Sequence, residues 1–273
     1  MKKRNIVIIA LGVVFLYMLI KPFTEQEKYT AIASKKTDKA VGPIKKVEKP
    51  LHDVDLPKFS KIVDINKKKK TFFNFLRPEI IKENNRIIKR RKQVIAINNK
   101  LKANERLTEE EQALVASFVK QYKVKNAPTL TKKVEKLLTK VDIVPTALVL
   151  VQAANESAWG TSRFARIGLN FFGIWCFKKG CGMVPNSRDE GLDHEVAAFT
   201  SVEKAVKHYL HNINTNQAYQ VFRSIRAQLH ANQQPLTAEV LATGLLPYSE
   251  RGSDYVLEIS EMIRHNKKYF NNK

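Results

Sequence analysis

Apolar residues recur along this chain mostly with helical spacing. Over residues 72–104, Phe73, Leu76, Ile80, Ile81, Ile87, Ile88, Val94, Ile95 and Ile97 fit a repeat near 3.6, which predicts a long amphipathic helix. Pro78 marks a fresh start after Arg77 in that pattern. Thr108-Glu-Glu-Glu111 has the form of a helix cap and predicts a second helix to about Tyr122, so that residues 72–129 form a helical hairpin. Another helix is expected over 130–138. Residues 145–154 are apolar on nearly every side, which puts their helix in a core, with Pro145 at its first position and Gly160 at its end. Aromatic, Gly and turn residues then gather over 171–200, and 184–199 predicts a β-hairpin or small sheet. Helices resume over 201–210, capped by Ser201 with Glu203 in the first turn, and near 218–231, 237–243 and 253–264. The expected class is α+β and mostly helical.

One run stands apart. Residues 6–20 are 15 apolar positions in a row behind Met1-Lys-Lys-Arg4. As a helix they reach about 22 Å, short of a bilayer core of about 30 Å, a gap that Lys3, Arg4 and Lys21 can bridge by snorkelling. A cleaved leader needs small residues next, but Lys21-Pro-Phe-Thr24 follows, and the nearest Ala-x-Ala is Ala31-Ile-Ala33. Residues 1–24 therefore predict an uncleaved inner-membrane anchor with the remainder in the periplasm; the alternative is a cleaved signal and a secreted or periplasmic chain. Residues 25–71, rich in Lys with Pro43, Pro50 and Pro57 and ending in Lys67-Lys-Lys-Lys70, predict a basic linker. The stretch from Leu56 to Val63 is apolar enough to dock on the folded part.

Charge narrows the partners. The chain has 273 residues, 44% of them hydrophobic, and a formal net charge of +22. That apolar content excludes a wholly disordered chain, and the charge favours a polyanionic partner. Residues 1–71 carry 17 Lys/Arg against 7 Asp/Glu, so much of the basicity belongs to the leader and linker. Export argues against nucleic acid, and no nucleic-acid motif is present. Cys176 and Cys181 are too few for a structural zinc site; in an oxidising compartment they are expected to close a disulfide around Gly180.

Glu156 is the outstanding candidate for chemistry. It ends an apolar helix, where burial and the negative end of the helix dipole both favour the protonated carboxyl. A general acid that protonates a glycosidic oxygen needs that property. The surrounding segment Asn155-Glu-Ser-Ala-Trp-Gly-Thr-Ser162, with Asn170-Phe-Phe-Gly-Ile174, resembles the bacterial glucosaminidase family, glycoside hydrolase family 73. Trp175-Cys-Phe-Lys-Lys-Gly-Cys181, His194-Glu-Val-Ala-Ala-Phe199, Ser224-Ile-Arg-Ala227 and Tyr248-Ser-Glu-Arg-Gly252 resemble its Bax-type branch. The resemblance implies a lysozyme-like two-lobed catalytic domain over 130–268, with a small β-lobe, that cuts peptidoglycan glycan strands as an endo-β-N-acetylglucosaminidase; the family is also linked to amidase activity. It implies Glu156 as general acid, with Trp159, Asn170, Phe172 and Tyr255 against the substrate.

Glycoside hydrolysis normally uses a second carboxylate. Asp189, Glu190 and Glu195 are available in the expected β segment, Glu190 first and Glu195 second. The substrate's own acetamido oxygen is a third route, with Tyr248 to orient it. Rival readings are a lytic transglycosylase or muramidase, a wall amidase, and a non-catalytic basic wall-binding module. Metal catalysis is disfavoured: His194-Glu195 opens like a zinc motif but position 198 is Ala, and His208 and His211 lack an evident third ligand. No cofactor is expected.

Overall fold

The computed structural model describes residues 48–185 and 194–270. Helix α1 spans Ile65–Lys102 and is the backbone of the fold. It starts seven residues before the expected position because Asp64 caps it, accepting the Lys67 amide, and the four lysines 67–70 lie in its first turns. Pro78 does not interrupt it. A proline removes one backbone hydrogen bond, and the fully buried Phe72, Phe73, Leu76 and Ile80 hold the helix on the core across that gap. The buried face is narrower than the full apolar pattern: Ile81, Ile88 and Ile95, seven residues apart, face solvent.

Part of the expected linker is docked. Phe59, in a short 3-10 turn over Phe59–Lys61, is buried with its ring 5.4 Å from Phe72 and 6.0 Å from Phe75. Upstream, the Leu51 amide donates to the Ile167 carbonyl, and Arg163 grips Glu48 through two guanidinium nitrogens. The expected anchor, residues 1–24, lies outside the described residues, as does the linker up to Val47. Among the described residues no helix is long and apolar enough to cross a membrane.

Helix α2, Glu109–Gln121, begins with the expected capping box between Thr108 and Glu111. Helices α3, Leu130–Lys140, and α4, Thr146–Glu156, follow. The long helix packs on α3, α4 and a later helix, α6, so the first arm of the expected hairpin shares one core with those helices. In α4, Leu148 to Ala154 are buried without interruption, as a helix apolar on all sides requires. Each fully buried Leu or Val there contributes about 1.5–3 kcal/mol of transfer free energy.

Helix α5, Arg163–Gly168, leads into a small antiparallel sheet of β1, Trp175–Cys176, β2, Gly182–Met183, and β3, Glu195–Ala197. The strand order is β1-β3-β2, with Trp175 and Met183 both opposite Val196. Helices α6, Val202–Thr215, α7, Gln220–Ala231, α8, Ala238–Ala242, and α9, Ser253–Asn266, complete the domain. Ser201 caps α6 as expected. The architecture is mostly helical α+β of the lysozyme-like kind, with one small sheet beside the helices.

Candidate active site

The end of α4 builds the site. Glu156 is its last residue. Ser157 closes the helix: its hydroxyl donates to the Ala153 carbonyl at 2.6 Å and accepts from the Gly160 amide at 2.9 Å. Ala158, Trp159 and Gly160 then run through left-handed backbone. This turn carries the chain against the docked Phe59 and against Phe72 of α1, so close that a Cβ on Gly160 would sit 2.5 Å from the Phe59 ring and 3.2 Å from the Phe72 ring. The helix thus ends at Glu156, four residues before the expected Gly160.

Burial lifts the Glu156 carboxyl above the usual carboxylate range; the Tyr255 hydroxyl and the Arg251 charge oppose that, and Glu258 adds to it. A chain of hydrogen bonds runs to it from within the core. Tyr209 donates to Gln152 Oε1, Gln152 Nε2 donates to the Tyr255 hydroxyl oxygen at 2.9 Å, and the Tyr255 hydroxyl in turn acts on the Glu156 carboxyl, drawing it downward. Tyr209 and Tyr255 are buried. Burial first, and the Glu156 charge among other causes, push Tyr219 up to about 12 and hold Tyr209, Tyr248 and Tyr255 well above the usual tyrosine range. Four neutral phenols therefore surround one carboxyl.

The loop before the sheet forms the opposite wall. Asn170 Nδ2 donates to the carbonyls of Ile174 and Ala197, and its Oδ1 accepts the amides of Phe172 and Ile174. That knot brings Gly173, at φ +62°, over the acid: a Cβ built there would lie 3.4 Å from Glu156 Oε2. Tyr248 fixes the same loop, its hydroxyl donating to the Phe172 carbonyl at 2.7 Å, while its ring stacks on Tyr255 at 5.5 Å.

The sequence candidates divide accordingly. Glu156, Tyr248 and Tyr255 come together. Asn170 is buried and shapes the loop, so its amide is not open to a substrate. Phe172 is 1% exposed and stacked on Tyr209 at 4.2 Å, which rules it out as a sugar platform. Trp159 is half-buried against Phe72 and Phe73, with the Lys69 ammonium 5.3 Å from its ring; it is a docking residue for α1. The exposed rings here are instead Trp175 in β1, two residues after Gly173, and Phe177 in the loop that follows. Glu195 is buried in β3, accepting the Gly180 amide at 2.9 Å and the Gly182 amide at 2.8 Å, so its carboxylate organises the loop between β1 and β2. Asp189 and Glu190 lie outside the described residues.

Cys176 and Cys181 form the expected disulfide, Cα atoms 6.2 Å apart. Their sulfurs lie near the Glu195 carboxylate, but bonded to each other they offer no thiolate to a metal. Sequence reasoning missed Gln152, Tyr209 and Tyr219. For Gln152 a signal existed: it is the polar interruption of an apolar helix, one turn before Glu156 and on the same face.

A raised carboxyl at the end of a core helix, facing a glycine-walled loop beside a small sheet, suits a glycosidase-type hydrolase. The glucosaminidase family, described as mannosyl-glycoprotein endo-beta-N-acetylglucosaminidase, matches residues 131–268. Protein bax of Escherichia coli (strain K12) is 32% identical over 269 residues, covering 94% of this chain and 94% of that protein. No solved structure matches. The chain belongs to the glucosaminidase family, in its Bax-type branch.

Proposed function

We propose that this hydrolase cuts the glycan strands of peptidoglycan as an endo-β-N-acetylglucosaminidase, with Glu156 as general acid. The observation that carries the reading is Glu156 itself: a half-buried carboxyl, raised above its ordinary value, with Oε2 facing the Gly173 backbone. Glu156 gives its proton to the glycosidic oxygen as the bond to the anomeric carbon breaks. The developing positive charge is met either by the Glu190 carboxylate or by the acetamido oxygen of the sugar, which closes a ring on the anomeric carbon until water opens it. Glu195 is not assigned this role, because both its oxygens already hold backbone amides. Trp175 and Phe177 are the proposed sugar-stacking rings. The proposal extends to an N-terminal anchor in the inner membrane, with the domain in the periplasm, on the strength of the 15-residue apolar run behind basic residues.

Mass spectrometry of muropeptides released from purified walls tests this. Reducing-end N-acetylglucosamine is expected; reducing-end N-acetylmuramic acid, a 1,6-anhydro end, or released peptide alone would replace the reading with muramidase, transglycosylase or amidase. Glu156→Gln is expected to lose activity by about 10²–10⁴-fold while still sedimenting with walls. Normal digestion by that variant would remove Glu156 from the mechanism. Loss of activity in Glu190→Gln assigns the second group to Glu190, and retention assigns it to the substrate.

A further inference from the structure

A basic cluster with apolar walls lies away from Glu156. A cavity of about 430 Å³ opens between α1 and α6, within the size range of small-molecule sites. Glu83, Ile87 and Arg90 line it from α1, spaced as one helix face. From α6 come Lys204, Lys207, His208 and His211, again on one face, while Tyr209 on another face belongs to the Glu156 cluster. The buried Ile87, Tyr122 and Phe199 supply an apolar lining.

The field inside is positive. Glu83 is the one acidic group among the lining residues, and Arg86 at 3.1 Å and Arg90 at 3.7 Å already compensate it. His211 is held below its ordinary value by burial and then by the charges of Lys123, His208, Arg90 and Lys140; His208 is lowered by burial and Lys123. Asn214, also in the lining, donates from Nδ2 to the Asp142 carbonyl, and its buried Oδ1 has no hydrogen-bond partner among the described residues. Such an acceptor suits a ligand hydroxyl. Residues from both sides of position 131 are needed, so the long helix and α2 complete a cavity that the family domain alone does not enclose.

We infer that this cavity binds an organic phosphate, with the phosphate against Lys204, Lys207 and the two histidines and an apolar body against Ile87, Tyr122 and Phe199. Lys and His donors around one anion, with no uncompensated carboxylate, favour a group carrying up to two negative charges. The apolar lining favours an ester over inorganic phosphate. Two sources share this chemistry: a soluble phosphate ester and a phospholipid headgroup.

The test uses the full chain and phenyl phosphate as probe, read by the ring resonances of His208 and His211. Saturable shifts of both rings are expected, with inorganic phosphate binding at least fivefold more weakly. Lys204→Gln with Lys207→Gln should weaken phenyl phosphate at least tenfold, and the exposed pair Lys92→Gln with Lys132→Gln by less than twofold. Competition by phosphatidylglycerol vesicles, absent with phosphatidylcholine, identifies the headgroup as the source; no competition identifies a soluble ester, and either agrees with the site. Unmoved histidine resonances, equal binding of inorganic phosphate, or equal weakening in both double variants would overturn the inference.

Discussion

Gly173→Ala separates the geometry of the acid from the stability of the fold. Gly173 sits at φ +62°, where an L side chain costs about 1–2 kcal/mol. Its new Cβ would lie 3.4 Å from Glu156 Oε2, an ordinary contact, so the carboxyl itself need not move. The methyl group would nevertheless occupy space beside the oxygen that donates the proton, where the glycosidic oxygen must come within about 2.6–3.2 Å. Displacement of a reacting atom by about 1 Å costs roughly 100-fold in rate, equivalent to about 2.7 kcal/mol of barrier. Gly180→Ala is the matched control. It has φ +80° and open space around its Cβ position, so it carries comparable backbone strain without touching Glu156. Urea denaturation should show both variants losing about 1–2 kcal/mol. In a turbidity assay on purified walls, the Gly173 variant should lose at least about 100-fold in kcat/KM and the Gly180 variant less than about threefold. Near-normal rates in Gly173→Ala, or equal losses in both, would refute the placement of Oε2 as the proton donor.

Tyr255→Phe removes the hydroxyl that draws the Glu156 carboxyl downward, so the high-pH limb of the rate profile should move to higher pH; it also strands Gln152 Nε2, at a cost of about 1–3 kcal/mol measured by denaturation. An unmoved limb would remove Glu156 from that titration. Trp175→Ala should raise KM about fivefold to tenfold with kcat little changed, the loss expected of one exposed ring contact, whereas Phe177→Ala is expected to act more weakly because that side chain is more exposed. Equal KM values for wild type and Trp175→Ala would exclude Trp175 from the sugar path. Cys176→Ser with Cys181→Ser opens a short loop, and chain entropy sets the loss at about 2 kcal/mol by denaturation; no loss would mean that the Glu195 contacts alone hold the loop.

Much of this fold is legible because its elements advertise themselves locally. Thr108 and Glu111 form a capping box that sequence spacing alone identifies, and the unbroken apolar face of α4 has no other place than a core. The start of α1 escapes because a run of four lysines reads as solvated linker, and only the Asp64 cap together with the docking of Phe59 makes it helical. Roles escape for a different reason. Trp159 and Phe172 stand beside the motif residues in sequence, but a left-handed turn sends the first toward α1, and the second points into the core against Tyr209. Glu195 looks like a spare carboxylate until its two amide partners are seen. Arg226, in the motif Ser224-Ile-Arg-Ala227, likewise proves structural: wholly buried, it donates to the carbonyls of Thr139, Asp142 and Ile143.

The proton on Glu156 ties stability to catalysis. Its folded pKa lies above the ordinary carboxylate value, so its contribution to stability is complete below that ordinary value and is lost as pH rises through the raised one. The form that a general acid needs is the same protonated form. Stability and rate should therefore decline together over that window. The four phenols are neutral across it, since burial holds each of them above the usual tyrosine range. They can donate hydrogen bonds to a carboxylate yet carry no charge to compensate it, and Arg251, the nearby cation, is itself paired with Glu258 at 2.7 Å. A salt-bridged glutamate at the same helix end would be more stable at neutral pH and would hold its proton too weakly to pass it on. Burial at the end of the apolar helix outweighs the Tyr255 hydroxyl and the Arg251 charge, which pull the carboxyl the other way, and so keeps Glu156 an acid.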